Sequence, residues 1–190
     1  DEEIIMRELK PVKVGNLILD GHKIYIQSML STRSDDIDGS VRQALELEAA
    51  GCDIIRAAIP DMKSIKLIEA IKSQVNIPLV ADIHFDYRLA LEAVSAGIDK
   101  IRINPGNIGD MDRVRQVANA CTNRGVPIRI GVNSGSLEKG ILAKYGSPTY
   151  EALIESALKH VELLNRFDFD DIVISIKSSN VKTMISAYRY

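Results

Sequence analysis

"DKIRINPGNIGD", residues 99–110, joins a short β-branched run to a Pro-Gly-Asn turn. Ile101 and Ile103 alternate with Lys100, Arg102 and Asn104. Successive strand side chains point to opposite faces. One face of this segment is therefore apolar, and the other carries an ammonium, a guanidinium and an amide. The Gly and Pro that follow end the strand at once. Apolar on one side and polar towards its C-terminal end, this is a strand of a parallel α/β sheet, whose C-terminal rim binds ligands.

The pattern repeats on either side. Further β-branched runs occur at KIYIQS (23–28), DIIRAAI (53–59), PLVADI (78–83), PIRIGVN (127–133) and DIVISIK (171–177). Amphipathic stretches lie between them. Their starts carry Asp38, Asp61 (after Pro60), Asp86 and Asp110, and Gly51, Gly97 and Gly125 mark three stops. Such residues satisfy the orphan N–H and C=O groups of helix ends. SPTYEALIESALKHVELLN is read with Pro148 in the first turn, and SGSLEKGILAKYGS as an elaborated loop. SSNVKTMISAYRY reads as a helix after the sixth strand. AGCDIIR (50–56) and AGIDKIR (96–102) form a weak internal repeat. Alternation of this kind means βαβ units on a parallel sheet. The sheet is either open and doubly wound or part of a (β/α)8 TIM barrel, and the steady unit length favours the barrel. PVKVGNLILDG ends in Asp20-Gly21, read as a hairpin turn. Residues 1–22 are thus assigned to an N-terminal segment with a capping hairpin, and 23–190 to a partial barrel.

Composition narrows the partners. The formal net charge is −2, which argues against nucleic acid bound through bulk charge. No stretch approaches the ~18 apolar residues of a membrane span. The charged start DEEIIMRELK has no signal-peptide pattern, and with no initiator Met a trimmed chain or a fragment is expected. A cytoplasmic location is expected. Cys52 and Cys121 are too few and too far apart for a disulfide framework or a zinc site, and are expected as buried thiols.

Parity assigns one face of each strand: Arg56; Asp82 and His84; Lys100, Arg102 and Asn104; Arg129 and Asn133; Ser175 and Lys177. The opposite face is almost wholly Ile, Val, Leu or Ala. Arg56, Arg102, Arg129 and Lys177 would converge at one rim against a single carboxylate, Asp82. Such a cluster repels itself unless an anion fills it, and Arg grips phosphate oxygens in bidentate fashion. The turns NPGNIGD and NSGSLE add backbone N–H groups for an anion nest. Asp82 and His84 leave three readings open: metal ligands, a proton relay in which the carboxylate orients the imidazole, or a structural hydrogen bond from His84 to a neighbouring strand. His22 is placed beside the hairpin turn and His160 on an exposed helix stripe, and neither is given a role. Asp35, Asp36 and Asp38 serve helix entry and solvation.

IQSM, AGCDIIR, PLVADIHFDYRLAL, DKIRINPGNIG, PIRIGVNSGSLE, YGSPTYEALIESALKH and DIVISIKSSN occur together in this order. From about residue 11 to 190 the chain resembles the 4-hydroxy-3-methylbut-2-enyl diphosphate synthase family of non-mevalonate isoprenoid synthesis. The resemblance implies a TIM barrel joined to a C-terminal [4Fe–4S] domain. It implies reductive ring opening and dehydration of methylerythritol cyclodiphosphate to hydroxymethylbutenyl diphosphate. It implies electrons from ferredoxin or flavodoxin, and a homodimer in which the partner's cluster domain closes over the barrel. The family's substrate residues correspond to Arg56, Asp82, His84, Arg102, Asn104, Arg129, Asn133, Ser175 and Lys177; of these Asp82 and His84 are taken as catalytic. Neither Cys52 nor Cys121 matches a cluster ligand of the family. Two barrel strands, a downstream Glu and the cluster domain have no counterpart here, and the loop LSTRSDDID is looser than the family's. The 190-residue chain is expected to bind the diphosphate but not to turn it over.

Two other readings compete. A pterin-binding transferase resembling dihydropteroate synthase also uses Asp, Asn, Lys and Arg at strand ends, but would want an aromatic slot, and aromatic content is only 5%. An inactive barrel fragment would associate with a second copy through its open edges.

Overall fold

The computed structural model describes residues 9–190; residues 1–8 of the expected N-terminal segment lie outside the described residues. β1 (Val12–Val14) and β2 (Leu17–Leu19) form an antiparallel hairpin. The expected turn at Asp20-Gly21 is corrected: the chain reverses at Gly15-Asn16. A two-residue loop between paired Val14 and Leu17 calls for positive φ, and Gly15 supplies φ +58°. Asp20 instead accepts from the His22 N–H at 3.0 Å in a bend beyond the hairpin. A Cβ on Gly15 would lie 2.9 Å from Pro78 Cγ and 3.2 Å from Asp99 Oδ1. Both neighbours immediately precede strands, so the hairpin covers the N-terminal end of the main sheet.

That sheet has six strands: β3 (Gln27–Met29), β4 (Ile54–Ala58), β5 (Leu79–Asp82), β6 (Lys100–Arg102), β7 (Ile128–Asn133) and β8 (Ile172–Lys177). Every neighbouring pair is parallel, and the spatial order is the chain order. A doubly wound sheet reverses its order at a switch point. No reversal occurs among the described strands, and the sheet is a curled half-barrel of TIM type. The first strand is shorter than expected and shifted: residues 23–26 are not in it, and Ile24 is 92% exposed. The Asp53 side chain accepts from the Ile26 N–H at 2.8 Å, standing in for a strand partner.

α1 (Ile37–Ala49), α2 (Lys66–Lys72), α3 (Tyr87–Ser95), α4 (Met111–Arg124), α6 (Tyr150–Asn165) and α7 (Val181–Arg189) follow the strands, and α5 (Lys139–Tyr145) lies within the elaborated segment after β7. Asp86 and Asp110 cap α3 and α4 as the spacing requires, and Gly125 closes α4 in the left-handed region at φ +63°. Asp36, not Asp38, caps α1. Thr149 caps α6, so Pro148 lies just outside the helix; only the Thr hydroxyl can accept from the third helical N–H.

The core lies between sheet and helices. Ile55, Leu79, Ile83, Ile101, Ile128 and Ile130 are fully buried there against Leu67, Ala90, Val117 and Leu153. Each such side chain contributes about 1.5–3 kcal/mol, enough for two or three of them to offset an unpaired polar group on the other face. Cys52 and Cys121 are free and buried in this layer, and burial pushes the Cys121 thiol up to about 12. β3 and β8 are the edges of the sheet. Ile24, Ile26 and Met29 are exposed at the first, and Ile174, Leu158 and Tyr188 line a hollow of about 590 Å³ at the other. Among the described residues no helix is long and apolar enough to cross a membrane.

Candidate functional site

The strand register stacks the inner face in rows. Met29, Arg56, Val80 and Lys100 form the lowest; Ala58, Asp82, Arg102, Arg129 and Val173 the next; then Gly131 beside Ser175, and Asn133 beside Lys177. These residues share one face, as strand parity requires. The rows also rank them by height, and Lys100 lies deep while Asn133 and Lys177 are exposed near the rim.

Asp82 is 2% exposed and ties two guanidinium groups together. Arg56 Nη2 donates to its Oδ2 at 2.5 Å, and Arg102 Nη1 to its Oδ1 at 3.2 Å. The same Arg102 nitrogen lies 3.4 Å from His84 Nδ1. The other ring nitrogen, Nε2, lies 3.7 Å from Asp82 Oδ2. His84 is exposed beside this buried pair. Asp82 is thus paired with two Arg side chains, an arrangement outside the three readings that the sequence left open. Among the described residues no group of three or more His, Cys, Asp or Glu is placed to hold a metal.

Asn104 is committed to the backbone. Its Nδ2 donates to the Gly131 carbonyl at 3.0 Å, and its Oδ1 accepts from the Gly131 N–H at 3.1 Å. The side chain extends the β6–β7 ladder past the end of β6 and has one N–H left for a ligand. Asn133 Oδ1 accepts from Gly135 N–H at 3.1 Å, shaping the turn after β7. Arg129 Nη2 donates to Ser175 Oγ at 2.6 Å. Burial, followed by the charges of Arg56 and Arg102, holds the Arg129 guanidinium below its ordinary range.

Among the described residues two buried donors, Arg56 Nε and Arg129 Nη1, have no hydrogen-bond partner. An unsatisfied buried donor costs about 1–3 kcal/mol, more when charged. Arg102 and Arg129 also stand directly opposite on adjacent strands, where like charges repel. An anion reaching both unpaired N–H groups relieves both penalties.

Gly131 makes room for Arg102. A Cβ there would come 2.9 Å from Arg102 Nε and 3.1 Å from Nη2. Gly131→Ala is expected to push the guanidinium aside, at about 1 kcal/mol or less in stability but roughly 3–10-fold in affinity for inorganic diphosphate. Isothermal titration of wild type and variant checks this; equal affinities would show that the site does not depend on the orientation of Arg102.

His160 departs from expectation: it is 5% exposed, not on an exposed stripe. Its Nδ1 accepts from the Gly106 N–H at 3.1 Å, and its Nε2 lies 3.1 Å from Glu138 Oε1. Glu138 Oε2 accepts from Ser156 at 2.8 Å. His160 thereby joins the loop after β6 to the loop after β7. Burial lowers its pKa, with Glu138 opposing. The sequence does carry a signal: Leu153, Ala157, His160 and Leu164 share one buried stripe of α6.

A family model described as "GcpE TIM-barrel domain" matches residues 9–190. A Clostridium perfringens protein named 4-hydroxy-3-methylbut-2-en-1-yl diphosphate synthase (flavodoxin) is 56% identical over 184 residues, 96% of this chain and 53% of that protein. One of the same name from Bacillus cytotoxicus is 55% identical over 180 residues, 94% of this chain and 49% of that protein. The chain thus spans about half the length of the curated relatives it matches. Among solved structures, Yersinia pestis dihydropteroate synthase superposes with a TM-score of 0.65 at 14% identity, covering 94% of this chain and 68% of that one. The Xanthomonas albilineans dihydropteroate synthase gives 0.60 at 16% identity, covering 86% and 63%. At such identities the likeness shows the fold alone.

Proposed function

The chain belongs to the GcpE TIM-barrel family, and from that premise we propose that it is the substrate-binding barrel of a 4-hydroxy-3-methylbut-2-enyl diphosphate synthase. Its ligand is methylerythritol cyclodiphosphate, which the whole protein opens reductively and dehydrates to hydroxymethylbutenyl diphosphate. The observation that carries this reading is the pair of buried, unpaired guanidinium N–H groups on Arg56 and Arg129. They call for a compact anion inside the half-barrel, and a diphosphate meets that need in bidentate fashion.

In this reading Arg56, Arg102 and Arg129 hold the diphosphate, and Ser175 and Asp82 aim them. Asn104, Asn133 and Lys177 line the rim, where the carbon skeleton emerges. His84 is the exposed group able to pass a proton to or from the bound ligand. The names of the relatives support flavodoxin as electron donor over ferredoxin. A homodimer and a cytoplasmic location complete the proposal. A [4Fe–4S] cluster needs Cys thiolates, and the residues of this chain do not fit one. Cys52 and Cys121 are buried in the helix–sheet layer, and no step here runs through such a group.

The pterin reading fares worse, because the inner rows carry no aromatic side chain on which a pterin would stack. Parallel titrations with methylerythritol cyclodiphosphate and a dihydropterin diphosphate separate the two. The first is expected to bind, more weakly as salt rises, and the other to bind no better than inorganic diphosphate. The opposite ranking would move the chain to the transferases.

A further inference from the structure

Lys100 is used by nothing described so far. It stands on the inner face of β6, in the lowest row beside Val80. It is 2% exposed. The elements around it present mostly cations: Arg56 from β4, Arg129 from β7, and Arg102 two residues along its own strand. The one carboxylate, Asp82 on β5, already serves Arg56 and Arg102. A buried charge without a partner is costly and prefers to neutralise itself. Burial first, then Arg129 and Arg56, bring Lys100 down to about 8.

An anion reverses this balance. In the proposed site the anion meets the unpaired Arg56 Nε and Arg129 Nη1; Arg56 shares the lowest row with Lys100, and both guanidinium charges act on Lys100. Negative charge at that place favours the protonated amine. We propose that Lys100 is a proton-linked counter-charge of the anion site, its protonation and anion binding each promoting the other. The proposal rests on the anion reading of the site and adds which of its cations is conditional.

The direction follows from linkage. With the anion bound, the Lys100 pKa lies above its free value of about 8. Below the free value Lys100 is charged in both states, and its contribution to affinity does not vary with pH. Between the free and the bound values, binding takes up a proton, and affinity falls by up to about tenfold per pH unit. The site is therefore graded rather than fixed in charge. Near neutral pH it is fully cationic towards a polyanion, and in mild alkali it loses one charge.

Calorimetric titration with inorganic diphosphate tests this, run from about pH 7 to 9.5 in two buffers of different ionisation enthalpy. Wild type, Lys100→Met and Lys100→Arg are compared, so that the proton gain of the anion itself cancels. Wild type is expected to take up more protons than Lys100→Met near pH 8.5, about midway through the linked range. Lys100→Met should bind about tenfold more weakly near pH 7, with a flatter pH dependence above about 8. Lys100→Arg should keep the affinity and lose the extra proton uptake. A thermal melt confirms folding of each variant, and the arginine variant decides alone if the methionine one fails. Equal proton uptake in wild type and either folded variant overturns the role of Lys100 while leaving the anion site intact. No binding by wild type, or binding insensitive to Arg129→Met, sinks both.

Discussion

Asp82→Ala is expected to lower the unfolding free energy by about 3–5 kcal/mol, as when one partner of a buried ion pair is removed. The carboxylate is 2% exposed and is the shared acceptor of Arg56 and Arg102. Without it two guanidinium groups remain on one face with Arg129 and Lys100, and no acid balances them. Asp82→Asn should lose less, because its amide oxygen still accepts from one Arg. Urea unfolding with a shared slope reads both. Saturating diphosphate should recover part of the loss, since it supplies the missing negative charge. A loss under about 1 kcal/mol would mean that both Arg side chains relax into water, so that the carboxylate does not organise the site.

Arg102→Met should weaken diphosphate binding by about 1.5–3 kcal/mol, roughly 10- to 150-fold in Kd. Arg102 spans three strands, reaching Asp82 and His84 on one side and, at 3.5 Å, the Gly131 carbonyl on the other. Arg102→Lys keeps the charge but loses the planar fork, and should fall between the two. Titration calorimetry on proteins matched for thermal stability isolates the effect. Affinities within about twofold of wild type would take Arg102 out of the binding surface and leave it as a brace for Asp82.

Much of this is legible from spacing. Residues two apart share a face of a strand, and in-register parallel strands turn that into shared rows. Arg56, Asp82, Arg102 and Arg129 are therefore grouped by sequence alone. Parity gives the face but not the depth. It does not distinguish Lys100, in the lowest row, from Lys177 at the exposed end. Nor does it show that Asn104 is engaged by the backbone of Gly131, because that bond depends on where β6 stops. His160 is misread as exposed. It lies on the apolar stripe of Leu153, Ala157 and Leu164, and that spacing marks it as buried. What spacing does not give is its partners, because Gly106 and Glu138 come from loops far away in the chain. The turn is misread where two candidates compete: Gly15-Asn16 and Asp20-Gly21 both suit a hairpin, and only the fit of Gly15 against Pro78 and Asp99 chooses between them.

Strand order equals chain order in the main sheet, and this bears on how the protein comes into being. Each new βα unit docks on the one synthesised just before it, so contacts accrue with short loop closures. The Arg56–Asp82 pair can close while the remaining strands are still on the ribosome, whereas Arg129 meets Ser175 only when β8 arrives. The row that joins Arg129 to Ser175 is thus completed after the row that carries Arg56.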